Sequence, residues 1–150
     1  MKKIRSFAVV FVLFAMTSYM FAESQGEKAF KENRPEEAII LIEDEINSGD
    51  AAPVVYNYLG LAYYQIGNYE KSIEAFGKGL STSGTNKKLL AFNQGNSYFA
   101  LKKYNEAAKS YSMTLVADST YYAALLNRAN AYLMMGNYRE ASDDYKKYIV

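Results

Sequence analysis

Side chains able to make or break bonds are scarce in this sequence, and the groups that remain are mostly amides and phenols. The 150 residues contain no Cys, no His and no Trp, which excludes thiol nucleophiles, imidazole relays, Cys/His zinc sites and c-type haem attachment. No Gly-x-Ser-x-Gly, Ser-x-x-Lys or EF-hand spacing occurs. Gly77-Lys78-Gly79 lacks the third glycine of a nucleotide fingerprint and falls at the end of a predicted helix, so it reads as close packing. Neighbouring carboxylates in Glu43-Asp44-Glu45 would point in different directions on a helix, which makes a solvated face the expectation. Glu36-Glu37 at a helix start answers the positive end of the helix dipole. No cofactor, metal or catalytic residue is assigned. What remains is the carboxamide of Asn93, Asn96, Asn127 and Asn130, which can both donate to and accept from the backbone of an extended peptide.

These amides recur because the elements carrying them recur. The segment from Tyr56-Asn57-Tyr58-Leu59-Gly60-Leu61-Ala62-Tyr63-Tyr64 to Tyr69-Glu70-Lys71-Ser72-Ile73-Glu74-Ala75-Phe76 has a second copy in Asn93-Gln94-Gly95-Asn96-Ser97-Tyr98-Phe99 and Tyr104-Asn105-Glu106-Ala107-Ala108-Lys109-Ser110-Tyr111. A third copy runs through Asn127-Arg128-Ala129-Asn130-Ala131-Tyr132-Leu133 and Tyr138-Arg139-Glu140-Ala141-Ser142-Asp143-Asp144-Tyr145. Gly60, Gly95 and Ala129 stand 35 and 34 residues apart, and Gly26, followed by Ala29 and Pro35 to Ile42, stands 34 residues before Gly60 in a weaker copy. Apolar residues return at three and four, so the units read as helices around 24–33, 35–48, 53–66, 69–81, 86–101, 104–116, 120–135 and 138–150, with no strand.

Each column of the repeat has a physical reading. Gly60, Gly95 and Ala129 in first helices, with Ser72, Ala107 and Ala141 in second helices, are small where two helices approach closely. Tyr63, Tyr98 and Tyr132, the Tyr69, Tyr104 and Tyr138 set, and Phe76, Tyr111 and Tyr145 are expected to fill the space between units. Gly67-Asn68 and Gly136-Asn137 end first helices with residues tolerant of positive φ, whereas Lys102-Lys103 must do so without glycine. Ser48-Gly49-Asp50, Ser81 to Thr85 and Asp118-Ser119-Thr120 are expected to supply stops and N-caps between units.

This pattern resembles the tetratricopeptide repeat, a 34-residue pair of antiparallel helices, over essentially everything after residue 22. It departs from the family pattern in lacking Trp near the start of first helices, Pro at the end of units two and three, and the aromatic positions of unit one. The resemblance implies an all-α, right-handed superhelix of about four units, near 23–52, 53–87, 88–121 and 122–150, stabilised by stacking neighbours. First helices would line the concave side, and their free positions form stripes: Val54, Asn57, Leu61, Tyr64 and Gln65 in unit two, Leu89, Phe92, Asn93, Asn96 and Phe99 in unit three, and Ala123, Leu126, Asn127, Asn130 and Leu133 in unit four. Such an Asn either bonds a neighbouring helix or water, or grips a peptide. Four in two stripes point to binding, with apolar burial along Leu61, Tyr64, Phe92, Phe99, Leu126 and Leu133. Members of the family that hold chaperone C-terminal carboxylates interleave Lys and Arg with such Asn. The matching positions here are Glu23, Glu27, Leu89 and Ala123, so that clamp is not supported.

Lys2, Lys3 and Arg5 precede an apolar run from Phe7 to Phe21, which reads as a signal peptide over 1–22 with cleavage after Ala22, or else as an uncleaved anchor. Export to the periplasm, free or anchored to the inner membrane, follows as an expectation. Residues 23–80 carry 5 basic and 11 acidic side chains and residues 81–150 carry 9 and 5, which reads as solvated helix faces or as ends suited to self-association. No Lys/Arg cluster exceeds two consecutive residues, so nucleic acid is not an expected partner. Tyr148-Ile149-Val150 lies inside the last predicted helix with nothing after it to cover it, so the chain is expected to continue past Val150, the alternative being an end face that docks a partner. The function expected is a non-catalytic interaction module or scaffold of the bacterial envelope. A membrane-anchored structural subunit and the interaction part of a longer enzyme are the alternatives.

Overall fold

The computed structural model describes residues 23–149. The segment read as a signal peptide, residues 1–22, and Val150 lie outside the described residues. Eight helices follow in order: α1 (Gln25–Lys31), α2 (Pro35–Ser48), α3 (Val55–Gln65), α4 (Tyr69–Ser81), α5 (Lys87–Ala100), α6 (Tyr104–Ala117), α7 (Tyr122–Met134) and α8 (Tyr138–Ile149). No strand occurs among the described residues. The helices form four antiparallel pairs, and the three interfaces between successive pairs are the first, second and third seams.

Local chemistry sets the ends. Ser24, Asn68 and Asn86 accept from the backbone N–H of Glu27, Lys71 and Leu89 and so satisfy first-turn donors. Asp118-Ser119-Thr120 does not supply the cap expected of it: Asp118 Oδ1 accepts from Thr120 N at 3.1 Å and Thr120 Oγ1 at 2.8 Å, which holds these residues in a turn. Helix α7 therefore starts late, at Tyr122, and Tyr121 makes no side-chain cap. Within pairs two and four the turn residue is Gly67 or Gly136, each at φ 78°, while pairs one and three put Asn33 (φ 60°) and Lys102 (φ 59°) in the same conformation. For Lys102 that backbone costs about 1 kcal/mol relative to glycine.

The small sites do what their spacing predicts. A Cβ on Gly60 would overlap the Phe76 ring, one on Gly95 would lie 2.6 Å from Tyr111 Cε1, and one on Gly26 would overlap Ile42. Three helix pairs thus share one packing device, with Ile42 in the place of the ring. These contacts correct one expectation. Phe76 and Tyr111 fill the space inside their own pairs rather than between pairs, because the missing Cβ opens its slot toward the partner helix. Tyr63 does cross a seam, its hydroxyl donating to Glu43 of α2, and burial together with that carboxylate pushes the phenol up to about 12. Tyr64 and Tyr69 stack edge to face at 5.2 Å within one pair, as do Phe99 and Tyr104.

The core runs through the stack in two clusters, one of Ala29, Ala38, Ile39, Ile42, Val55, Leu59, Ala62, Tyr63 and Ala75, the other of Ala107, Ala108, Tyr111, Ala124 and Ala131. The first helices touch along the whole series, α1 on α3, α3 on α5 and α5 on α7, whereas successive second helices make no such contacts among the described residues. The array must then curve with its first helices inside. Where the last pair ends, α8 exposes Ser142 and Lys146 beside Tyr148 and Ile149.

Candidate functional site

The inner wall of the curve carries one polar rung at each seam. At the first seam Tyr58 faces Glu27: burial and that carboxylate raise the Tyr58 phenol, and Lys31 Nζ lies 5.6 Å from its ring centroid. At the second, Asn93 Nδ2 donates to Asn57 Oδ1 at 3.0 Å. At the third, Asn127 Nδ2 donates to Asn96 Oδ1 at 3.0 Å. Asn93 cannot copy the third rung, because Leu61 occupies the place equivalent to Asn96, so it turns to Asn57.

A tyrosine of a second helix completes the third rung, and another makes the equivalent bond within pair four. Tyr111 OH donates to Asn96 Oδ1 at 2.9 Å, and Tyr145 OH to Asn130 Oδ1 at 2.6 Å. Burial pushes the Tyr111 phenol well above its usual range, so it stays a donor at any ordinary pH, with Asn127 pulling weakly the other way. Both bonds span 15 residues. At the same separation in pair two stand Leu61 and Phe76, an apolar couple in place of an Asn/Tyr couple. That exchange was visible in the sequence, and it is the signal that could have assigned Tyr111 and Tyr145 to the site.

A depression of about 210 Å³ lies here, lined by Tyr64, Asn96, Phe99, Ala100, Tyr111, Asn127 and Asn130. Five of these are among the residues named from sequence; Ala100 and Tyr111 are additions. Asn96 and Asn130 use their oxygens within the protein, and Asn127 uses its nitrogen. Among the described residues the opposite ends, Asn96 Nδ2, Asn130 Nδ2 and Asn127 Oδ1, have no protein partner, and no unpartnered side-chain polar atom is buried. Two donors and one acceptor therefore remain open beside two aromatic walls. That set matches the alternating carbonyl and N–H groups of an extended chain.

The other residues named from sequence divide. Asn93 is only 9% exposed and bonded to Asn57, so it belongs to the seam. Phe92 stands 5.1 Å from Tyr121 and 5.9 Å from Tyr111, ring to ring, and packs the third seam rather than the open wall. Gln65 Nε2 donates to Asn33 Oδ1 at 2.6 Å across the first seam. Leu61 and Leu126 are half-buried, and Leu133 is exposed at the far end of the wall.

Residues 53–86 and 92–150 each match a family profile described as tetratricopeptide repeat. The chain belongs to the tetratricopeptide repeat family. The RNA polymerase II-associated protein 3 of Mus musculus is 27% identical over 107 residues and that of Xenopus tropicalis 31%, in each case over 71% of this chain. The chain spans only about 16% of the length of these curated relatives. Among solved tetratricopeptide structures, the second TPR of Spaghetti (RPAP3) bound to the HSP90 peptide SRMEEVD superposes with a TM-score of 0.62 at 27% identity, covering 70% of this chain and 96% of that one. The crystal structure of MamA superposes with a TM-score of 0.79 at 19% identity over 86% of this chain and 75% of that one, a likeness of fold.

Proposed function

We propose that this tetratricopeptide protein is a non-catalytic interaction module that holds an extended protein segment in the depression lined by pairs two, three and four. The observation that carries the proposal is the trio of open amide ends, Asn96 Nδ2, Asn127 Oδ1 and Asn130 Nδ2, beside Tyr64 and Phe99. A segment laid there exchanges backbone–water hydrogen bonds for backbone–amide ones while an apolar side chain is buried against the rings. Relatives of this fold and family that hold HSP90 and HSP70 peptides support the reading at the level of a peptide or protein partner. The N-terminal sequence, basic and then apolar, supports a place in the bacterial envelope, periplasmic or anchored, as a scaffold or assembly factor.

A photo-crosslinking amino acid placed at Tyr64 or Leu133, on the inner wall, or at Ile40, on the outer helix α2, tests the assignment in intact cells. Crosslinks to one partner from positions 64 and 133 in the envelope fraction are expected, with none from 40, and Asn127→Ala should reduce them without changing helical content. Crosslinking from position 40 alone would place the partner on the outer surface and end this reading.

A further inference from the structure

We infer that the outer face of α8 is a contact between two copies of this chain, which meet antiparallel across a two-fold axis at the level of Asp144. This face lies outside the depression and does not depend on how the depression is used. Tyr138, Ser142, Lys146 and Ile149 form one stripe along α8, and their counterparts one repeat earlier are Tyr104, Ala108, Ser112 and Leu115 on α6. The third seam covers that earlier stripe: Ala108 is buried, Tyr104 and Leu115 pack against the same core, and Ser112 accepts from Arg128 of α7. On α8 the same places are open, with Tyr138 70% and Ile149 80% exposed. The two residues that change character, Ser142 and Lys146, are exposed as well.

The stripe is apolar at its ends and polar in its middle, a pattern that reads the same in both directions. Tyr138 and Ile149 stand about 17 Å apart along the helix. An antiparallel second copy therefore lays Ile149 on Tyr138 at both ends and brings Lys146 beside Ser142 and Asp143 of the other copy, which gives two opposite-charge contacts per dimer. Within one chain Lys146 Nζ lies 3.8 Å from Asp143 Oδ1, and both side chains are more than half exposed, so neither is tied up. The other end of the stack is unsuited to cover this face. Ala62, Ser97 and Ala131 are fully buried at the three seams, and the residue at their place in α1 is Lys28, which is exposed. Docking α1 of a second copy on α8 in the manner of a seam would desolvate that ammonium against Ala141, the counterpart of Ala107. Head-to-tail growth is thereby disfavoured, and the closed face-to-face pair is the symmetric alternative. One helix face per subunit is small for a stable interface, so the dimer forms and separates with concentration.

The chain contains no Cys, so a single introduced thiol reports the contact in cells producing the full chain. Ser142→Cys treated with a short bismaleimide should give a product of twice the chain's mass, while Ser48→Cys, exposed at the end of α2, should not. Adding Lys146→Glu should cut the product about fivefold or more, because both charge contacts turn repulsive, and Asp143→Lys together with Lys146→Glu should restore it. Helical content by circular dichroism should stay constant throughout, since both side chains are exposed. No doubled product from Ser142→Cys, or as much from Ser48→Cys, overturns the inference. So does a product that ignores Lys146→Glu, or one that the double reversal leaves low. A product of any other mass would give the face to a different protein and overturn it too.

Discussion

The second and third seams occupy equivalent repeat positions and fill them with different chemistry. In the second, Ser72 Oγ donates to the Gly60 carbonyl at 2.8 Å and lies 2.8 Å from Ser97 Oγ, both hydroxyls fully buried; the third has Ala107 and Ala131 there. Gly79 of α4 yields its volume to Leu90 of α5, whereas the later couple is Thr114 and Ala124, large and small exchanged. Gln94 Nε2 reaches the Ile73 carbonyl at 3.2 Å. Its counterpart Arg128 donates to Ser112 Oγ at 2.9 Å and to both oxygens of Asp144, at 2.6 and 2.8 Å. What repeats is therefore the spacing of helices and the sum of volumes across each seam, while the polar content varies freely provided every buried group finds a partner.

The largest departure from that tolerance should come from the one buried ion pair among the described residues, which ties Arg128 at the third seam to Asp144 within its own pair. Asp144 is nearly inaccessible and the Arg128 side chain is 17% exposed, so Asp144→Ala leaves a guanidinium desolvated with only Ser112 and the face of Tyr132, 5.8 Å away, to answer it. A loss of about 3 kcal/mol in urea unfolding is expected. The double change Arg128→Met with Asp144→Leu should restore most of it, since apolar filling replaces both charges; a double variant as unstable as the single one would show that the ion pair fixes how α7 meets α8. Next in size is a transplant. Gly79→Thr puts the third seam's residue into the second, where a Cβ would lie 2.9 Å from Leu90 Cδ1 and from Tyr56 Cβ. It should cost about 2 kcal/mol, and adding Leu90→Ala should recover part of that if the two seams trade volume as the comparison says.

The helix order and the small sites were legible in the sequence because they depend on intervals, and intervals survive changes of side chain. Predicted helices 35–48 and 69–81 coincide with α2 and α4, and Gly26, Gly60 and Gly95 face Ile42, Phe76 and Tyr111 in register. The site was legible in part. Periodicity places Asn93 and Asn96 on one stripe, yet Asn93 is drawn into the seam and Asn96 stays on the wall. The difference lies in residues of the preceding pair, Leu61 and Asn57, that no single-helix pattern contains. Phe92 left the wall for the same kind of reason: Tyr121, in the turn before α7, supplies a ring that covers it.

The smallest expected effect separates hydrogen bonding from shape at the two seams. Ser97→Ala removes one buried hydroxyl of the second seam; Ser72 keeps its bond to the Gly60 carbonyl, so only the Ser72–Ser97 contact and the back-bond of Ser97 to the Asn93 carbonyl, at 3.2 Å, are lost. A cost of about 1 kcal/mol is expected. Ser72→Ala with Ser97→Ala converts the seam to the alanine pair found naturally at Ala107 and Ala131, and because both hydroxyls leave together its unfolding midpoint should return to near that of the unaltered protein. Differential scanning calorimetry of the two variants decides it. If the double variant lost more than the single one, the Gly60 carbonyl would be the group that suffers, and the two seams would differ in what their backbones require rather than only in what their side chains supply.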